Sequence, residues 1–165
     1  MDDTTNPRSF EDFYSATKSP VLRAVLVARA GARQESEDAV AEAYEKAYLR
    51  WEALSAHPCP TAWVIRTAIN QRVSMWRRAR RRVEKQNAET SLVSEALDPS
   101  LVRRVNALPQ RQREVLALRI LLDLSTEQTA EILRVHQGTV KTQLHRALQT
   151  LRSGLGTHDL EEAWL

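Results

Sequence analysis

Cysteine occurs once in the 165 residues, at Cys59. No intrachain disulfide can therefore form, which excludes a disulfide-stapled secreted scaffold and fits a reducing cytoplasm. No apolar run approaches the ~18 residues needed to cross a bilayer, and the opening Met1-Asp2-Asp3-Thr4-Thr5 is acidic and polar, unlike a signal peptide. Membrane insertion and secretion are set aside on these grounds. No glycine-rich nucleotide loop, Ser/His/Asp set or pocket-forming carboxylate pair is visible, so no catalytic residue is expected. His57-Pro58-Cys59-Pro60 offers two ligand types without a second pair; that makes no closed zinc site, and a proline-stiffened loop is the simpler reading. Neither metal nor cofactor is expected.

With 42% hydrophobic and 27% charged residues the chain can fill a core, and its length suits one ordinary domain or two small ones. The 4 glycines and 6 prolines punctuate it. Gly31 separates two helical patterns, Pro58 and Pro60 interrupt the next pair, Pro99 and Pro109 mark the middle, and Gly154 and Gly156 close the last helix. Between them apolar residues recur at helical spacing: Val21, Leu22, Val25 and Leu26; then Val40, Ala43, Tyr44, Ala47, Tyr48 and Trp51 on one face of a long helix; then Trp63, Ile65, Ala68, Ile69, Val73 and Trp76. No segment alternates with the period of two that a half-buried strand requires. The pattern predicts an all-α protein of two small helical domains, residues 8–83 and 100–154. A flexible polar linker over 84–99, ending in the helix breaker Pro99, joins them, and an acidic tail follows over 155–165.

The sharpest local signal lies in residues 125–152. Ser125-Thr126-Glu127-Gln128 reads as a capping box. A short helix follows with Ala130, Ile132 and Leu133 inward, and Arg134-Val135-His136 has room only for a tight turn. A second helix runs from about Gln137 to Arg152 with Val140, Leu144, Ala147, Leu148 and Leu151 as its buried stripe. Its other face presents Gln137, Lys141, Thr142, His145 and Arg146. From Arg134 to Arg152 there are cations at 134, 141, 146 and 152 and no Asp or Glu. A helix laid in a major groove needs this pattern: donors toward base edges, cations toward phosphates and no carboxylate repelling the backbone. Gly138 and Thr139 at its start are expected to leave N–H groups free for a phosphate. The preceding helix, Arg111 to Leu122, offers Val115, Leu116, Leu118, Leu121 and Leu122 for packing, with Pro109 at its first turn.

The net charge of +3 conceals strong segregation. Glu35 to Glu52 holds six acids against Lys46 and Arg50, a net −4, whereas Arg66 to Lys85 holds eight cations against Glu84, a net +7.

Leu108-Pro109-Gln110-Arg111-Gln112-Arg113-Glu114-Val115-Leu116, followed by Gly138-Thr139-Val140-Lys141, resembles region 4 of bacterial sigma factors. Ser36-Glu37-Asp38, Ala62-Trp63 and Ala68-Ile69-Asn70 resemble region 2. The chain is most similar to the extracytoplasmic-function group, and within it to the actinobacterial sigma-E-like subgroup. The resemblance implies an alternative sigma factor that binds RNA polymerase core in the cytoplasm and directs it to promoter DNA. Region 4 would read the minus-thirty-five element as duplex through Gln137, Thr139, Lys141, Thr142, His145 and Arg146, with Arg146 foremost for a guanine edge. Region 2 would hold the opened minus-ten strand at Asn70, whose amide suits a base edge, with Arg66, Arg77 and Arg78 along the strand. Trp63 is either a stacking platform or a core anchor, and the loop 52–61 is a further place for a flipped base. Glu37, Asp38, Glu42 and Glu45 would face the polymerase clamp. An anti-sigma protein is implied by the resemblance alone.

The sequence departs from the family pattern at Ala41, Ser74, His136 and Gln143. The tail ending Ala163-Trp164-Leu165 is either disordered or an apolar tag for a protease. A helix-turn-helix regulator that is no polymerase subunit would also explain residues 125–152, but it leaves the basic stripe idle.

Overall fold

A computed structural model describes residues 9–71 and 98–154, and within them every regular element is helical. Helix α1 (Phe10–Ala28) starts where Ser9 Oγ accepts the Asp12 N–H, with Glu11 and Asp12 in the positive first turn. It ends where Ala30 and Gly31 turn left-handed, and the Gly31 N–H donates to Leu26 O at 2.8 Å. That reversal lets α2 (Arg33–Leu49) fold back along α1. The single turn α3 (Trp51–Leu54) and the proline-led α4 (Pro60–Asn70) complete the first half.

The second half holds α5 (Pro99–Ala107), α6 (Gln110–Leu116), α7 (Thr126–Leu133) and α8 (Gln137–Gly154), with a wider π-type turn at Ala117–Leu121 between α6 and α7. Pro99, expected to end a linker, instead occupies the first position of α5. Its missing N–H costs nothing there, and Asp98 caps the helix by accepting from the Ser100 N–H at 2.8 Å. The Ser100 hydroxyl and then its N–H stabilise the charged Asp98 carboxylate and hold its pKa below the ordinary value. The rest of the expected linker, the positions of Val73 and Trp76, and the tail lie outside the described residues.

Two expected core positions are exposed. Tyr48 is 63% accessible because the stripe Val40, Ala43, Tyr44, Ala47 has turned away by that point; its ring is held edge-on to Phe10 at 5.2 Å. Leu121 is 46% accessible because the π-type turn inserts a residue, which rotates the succeeding positions by about 100°. Phe10, Phe13, Tyr14, Tyr44 and Trp51 form an aromatic group at that end of α1, with Thr17 Oγ1 2.8 Å from the Tyr44 hydroxyl.

The buried apolar residues do not separate at the boundary between the halves. Val21 and Val25 of α1, Val64 and Ile65 of α4, Val115 and Leu118 around α6, Ile132 and Leu133 of α7 and Val140 of α8 belong to one continuous core. A smaller cluster, Leu108, Leu116, Ala147 and Leu151, seats α8 on α6.

Candidate nucleic-acid and polymerase interface

The helix-turn-helix is built as its sequence predicts. Ser125 Oγ accepts the Gln128 N–H at 3.0 Å and Gln128 Oε1 accepts the Ser125 N–H at 2.8 Å, completing the capping box. Arg134 takes the left-handed conformation (φ 55) that allows the sharp turn, and the Val135 N–H closes it onto Ala130 O. Val140, Ala147 and Leu151 are buried, with Leu144 and Leu148 half-buried beside them. Gln137, Lys141, Thr142, His145 and Arg146 are all exposed; Thr142, His145 and Arg146 lie across α8 from this stripe, Lys141 at its flank and Gln137 in the open first turn.

Thr139 does not match its expected role. It is half-buried, and its N–H is taken by His136 O at 2.9 Å, because the first turn closes on the turn residue's carbonyl. Thr142 donates its hydroxyl proton to Gly138 O at 2.9 Å, so its oxygen is oriented to accept rather than donate. A Cβ at Gly138 would meet nothing within 4 Å, leaving the start of α8 open to close approach.

In α4, Val64, Ile65 and Ala68 are buried, while Trp63, Arg66 and Asn70, at i, i+3 and i+7, share the opposite face. Trp63 is half-buried and packs against the core, so anchoring and partial exposure coexist. Asn70 is exposed at the helix end. Arg77 and Arg78 lie outside the described residues.

The position of Asn70 depends on a residue that helical periodicity does not reveal. Arg29, at the end of α1, donates from Nη2 to Ala68 O at 2.9 Å and to Gln71 O at 3.1 Å. These carbonyls belong to the end of α4, where a helix leaves acceptors unsatisfied and a cation complements the dipole. A lone Arg after an apolar stripe carries no sequence signal for a contact 39 residues away.

Along α2, Glu37, Asp38, Glu42 and Glu45 lie opposite the buried Ala39, Val40, Ala43 and Ala47. Three of them are engaged within the helix: Glu37 with Arg33 at 2.9 Å, Asp38 with Gln34 at 3.2 Å and Glu42 with Lys46 at 3.0 Å. Such exposed pairs contribute little and exchange readily for a partner's cations. The same face ends in exposed Tyr48 and Leu49, the latter 75% accessible, an apolar edge that the charge count overlooked. In the loop before α4, His57 Nδ1 accepts the Cys59 N–H at 3.0 Å. Among the described residues no cluster of metal-ligating side chains is present, and no helix is long and apolar enough to cross a membrane.

An exposed acid-free helix behind a capped turn, joined to a helical half whose α2 carries an acidic face, is matched by two family models. Residues 16–82 match Sigma-70 region 2, and residues 100–151 match Sigma-70, region 4. This chain belongs to the sigma-70 family.

The RNA polymerase sigma-E factor of Streptomyces antibioticus is 33% identical over 133 residues, covering 77% of this chain and 74% of that protein. The extracytoplasmic-function sigma factor SigW of Bacillus subtilis is 26% identical over 141 residues, covering 73% and 75%. Among solved structures, the sigma factor RpoE of Bartonella quintana, crystallised with the anti-sigma factor NepR, shares the fold. Its TM-score is 0.65 at 22% identity, covering 89% of this chain and 98% of that one. The all-α organisation into regions 2 and 4 is therefore that of an extracytoplasmic-function sigma factor, whose work is promoter-specific initiation of transcription. A stand-alone helix-turn-helix regulator is not favoured, because the first half matches region 2 as well.

Proposed function

We propose that this sigma factor divides its work among three outward faces. The face of α8 carrying Gln137, Lys141, Thr142, His145 and Arg146 reads the minus-thirty-five duplex. The face of α4 carrying Trp63, Arg66 and Asn70 holds the opened minus-ten strand, continued by the basic run through Arg77 and Arg78. The acidic face of α2 carrying Glu37, Asp38, Glu42 and Glu45 meets polymerase core.

The observation that supports this reading is that Thr142, His145 and Arg146 of α8, Trp63, Arg66 and Asn70 of α4, and Asp38, Glu42 and Glu45 of α2 lie across their helices from the buried stripes. On α8 the side chains include bidentate donors and no acid, the combination that reads base edges without repelling phosphates. Thr139 drops out as a backbone phosphate contact, since His136 O takes its N–H. The protein supplies recognition and strand capture while polymerase supplies the chemistry, so it is itself non-catalytic and works where polymerase does, in the cytoplasm. An anti-sigma protein, the kind of partner bound to the Bartonella sigma factor, completes the proposed set of partners.

Run-off transcription with purified core tests the reading: the full chain starts transcripts at a selected promoter, and a regulator that is no polymerase subunit starts none. Within that assay Arg146→Ala is expected to cost about 1–3 kcal/mol of discrimination at one base position. An unchanged base preference would remove Arg146 from the reading face.

A further inference from the structure

The outer side of α8 carries positive charge that the described residues leave unbalanced. At about 100° per residue, Lys141 and Arg152 fall within roughly 20° of each other, and Arg146 lies about 120–140° round the helix from them. The positions between, Thr142, His145 and Gln149, are exposed, as are all three cations. None of the three cations forms an ion pair among the described residues, and α8 itself contains no Asp or Glu.

A fourth cation stands at the C-terminal end of the same helix. Arg104 of α5 packs so closely on Gly154 that a Cβ there would meet its guanidinium at 3.2 Å. The buried Arg104 Nη1 finds no acceptor among the described residues, and a buried donor left unpaired is destabilising.

The sequence supplies acids directly after this point. Residues 155–165, which lie outside the described residues, hold Asp159, Glu161 and Glu162 and no Lys or Arg. In extended chain, Asp159 reaches up to about 17 Å from Gly154 and Glu162 up to about 27 Å. Along α8, Arg152 is about 3 Å back from Gly154, Arg146 about 12 Å and Lys141 about 20 Å. The reach of the three carboxylates therefore covers the whole cationic strip, and Gly156 offers a chain reversal at no steric cost.

We infer that segment 155–165 folds back on α8, sets its carboxylates among Arg104, Arg152, Arg146 and Lys141, and competes there with duplex DNA. Exposed ion pairs are individually weak, but the segment is tethered beside its site, which gives it a high local concentration. It lowers affinity for every duplex by one factor and leaves the choice between sequences unchanged. Stray phosphates are thereby screened out, while a duplex that adds base contacts still displaces the segment. The inference rests on the assignment of α8 as the duplex-reading face.

Two measurements on the full chain test it. A carbodiimide condenses a lysine amine and a carboxylate already in contact to an amide. It should join Lys141 to Glu161 or Glu162 within one chain, located by mass spectrometry of the digest, and Lys141→Arg should abolish the link. The second measurement uses Asp159→Asn combined with Glu161→Gln and Glu162→Gln. This neutral variant should bind a mixed-sequence duplex at least about threefold more tightly than wild type at low salt. Its log affinity should also fall more steeply with log salt, because no acid then takes the place of phosphate. The ratio of affinities for promoter and mixed-sequence duplexes should match that of wild type.

Absence of a link at Lys141, or a link found only between two chains, overturns the inference. An unchanged duplex affinity in the neutral variant overturns it too. Arg146→Ala then shows whether the assignment of the face falls with it, which it does only if base preference is also unaltered.

Discussion

Replacing Arg29 probes how the first half aims its strand-binding face. Arg29→Met keeps an apolar stem and removes the guanidinium, so both bonds to Ala68 O and Gln71 O vanish while packing is largely kept. Hydrogen bonds to charged groups contribute about 1.5–3 kcal/mol each. Arg29 is half-buried, so water recovers part of that, and the expected loss is about 2–3 kcal/mol. For a chain of this size, that corresponds to a fall in Tm of roughly 4–12 °C. Urea unfolding followed by circular dichroism should show a lower midpoint with an unchanged slope.

The loss should also be local. Amide exchange should rise in the last turn of α4, which carries Asn70, and permanganate reactivity of the opened minus-ten strand should fall while minus-thirty-five binding stays the same. Arg29→Lys, which keeps the charge but not the planar fork, should recover about half of the stability. A loss below about 0.5 kcal/mol with unchanged exchange in α4 would refute the clamp.

Leu118→Ala removes a wholly buried side chain of the shared core and should cost about 2–5 kcal/mol by chemical denaturation. Arg134→Gly relieves a left-handed backbone at φ 55 and should raise stability by about 0.5–1 kcal/mol after the entropy of the added glycine, with no change in promoter preference. Burial raises the Tyr44 pKa from 10.0 to about 12, against a smaller opposing effect of the Thr17 hydrogen bond. Between these values the unfolded chain ionises while the folded one stays protonated, so stability should fall as pH rises from 10 to about 12. Ultraviolet titration of tyrosinate should show one group lagging, and Tyr44→Phe should abolish the lag.

Local rules read correctly where a short span of chain holds every participant. The capping box at Ser125 and Gln128, the glycine reversal at Gly31, the buried stripe of α8 and the opposition of acidic and apolar faces on α2 all depend on spacings of at most one or two helical turns. Where a neighbour distant in sequence or a change of helical phase intervenes, periodicity misleads. Tyr48 continues the arithmetic of its stripe but has rotated past the contact, and the π-type turn shifts Leu121 outward. Asp98 converts Pro99 from a stop into a start. Thr139 has the right place for a phosphate but spends its N–H on the turn before it.

Helix type, helix ends and the segregation of charge were inherent in the order of residues, because 3.6-residue periodicity and capping act over a few positions. The contact of Arg29 with α4 and the joining of two apparent domains into one core arose only in three dimensions. Apolar surface has no address: the hydrophobic effect rewards burial of Val25 or Ile132 against any complementary face, and only the folded chain selects which face that is.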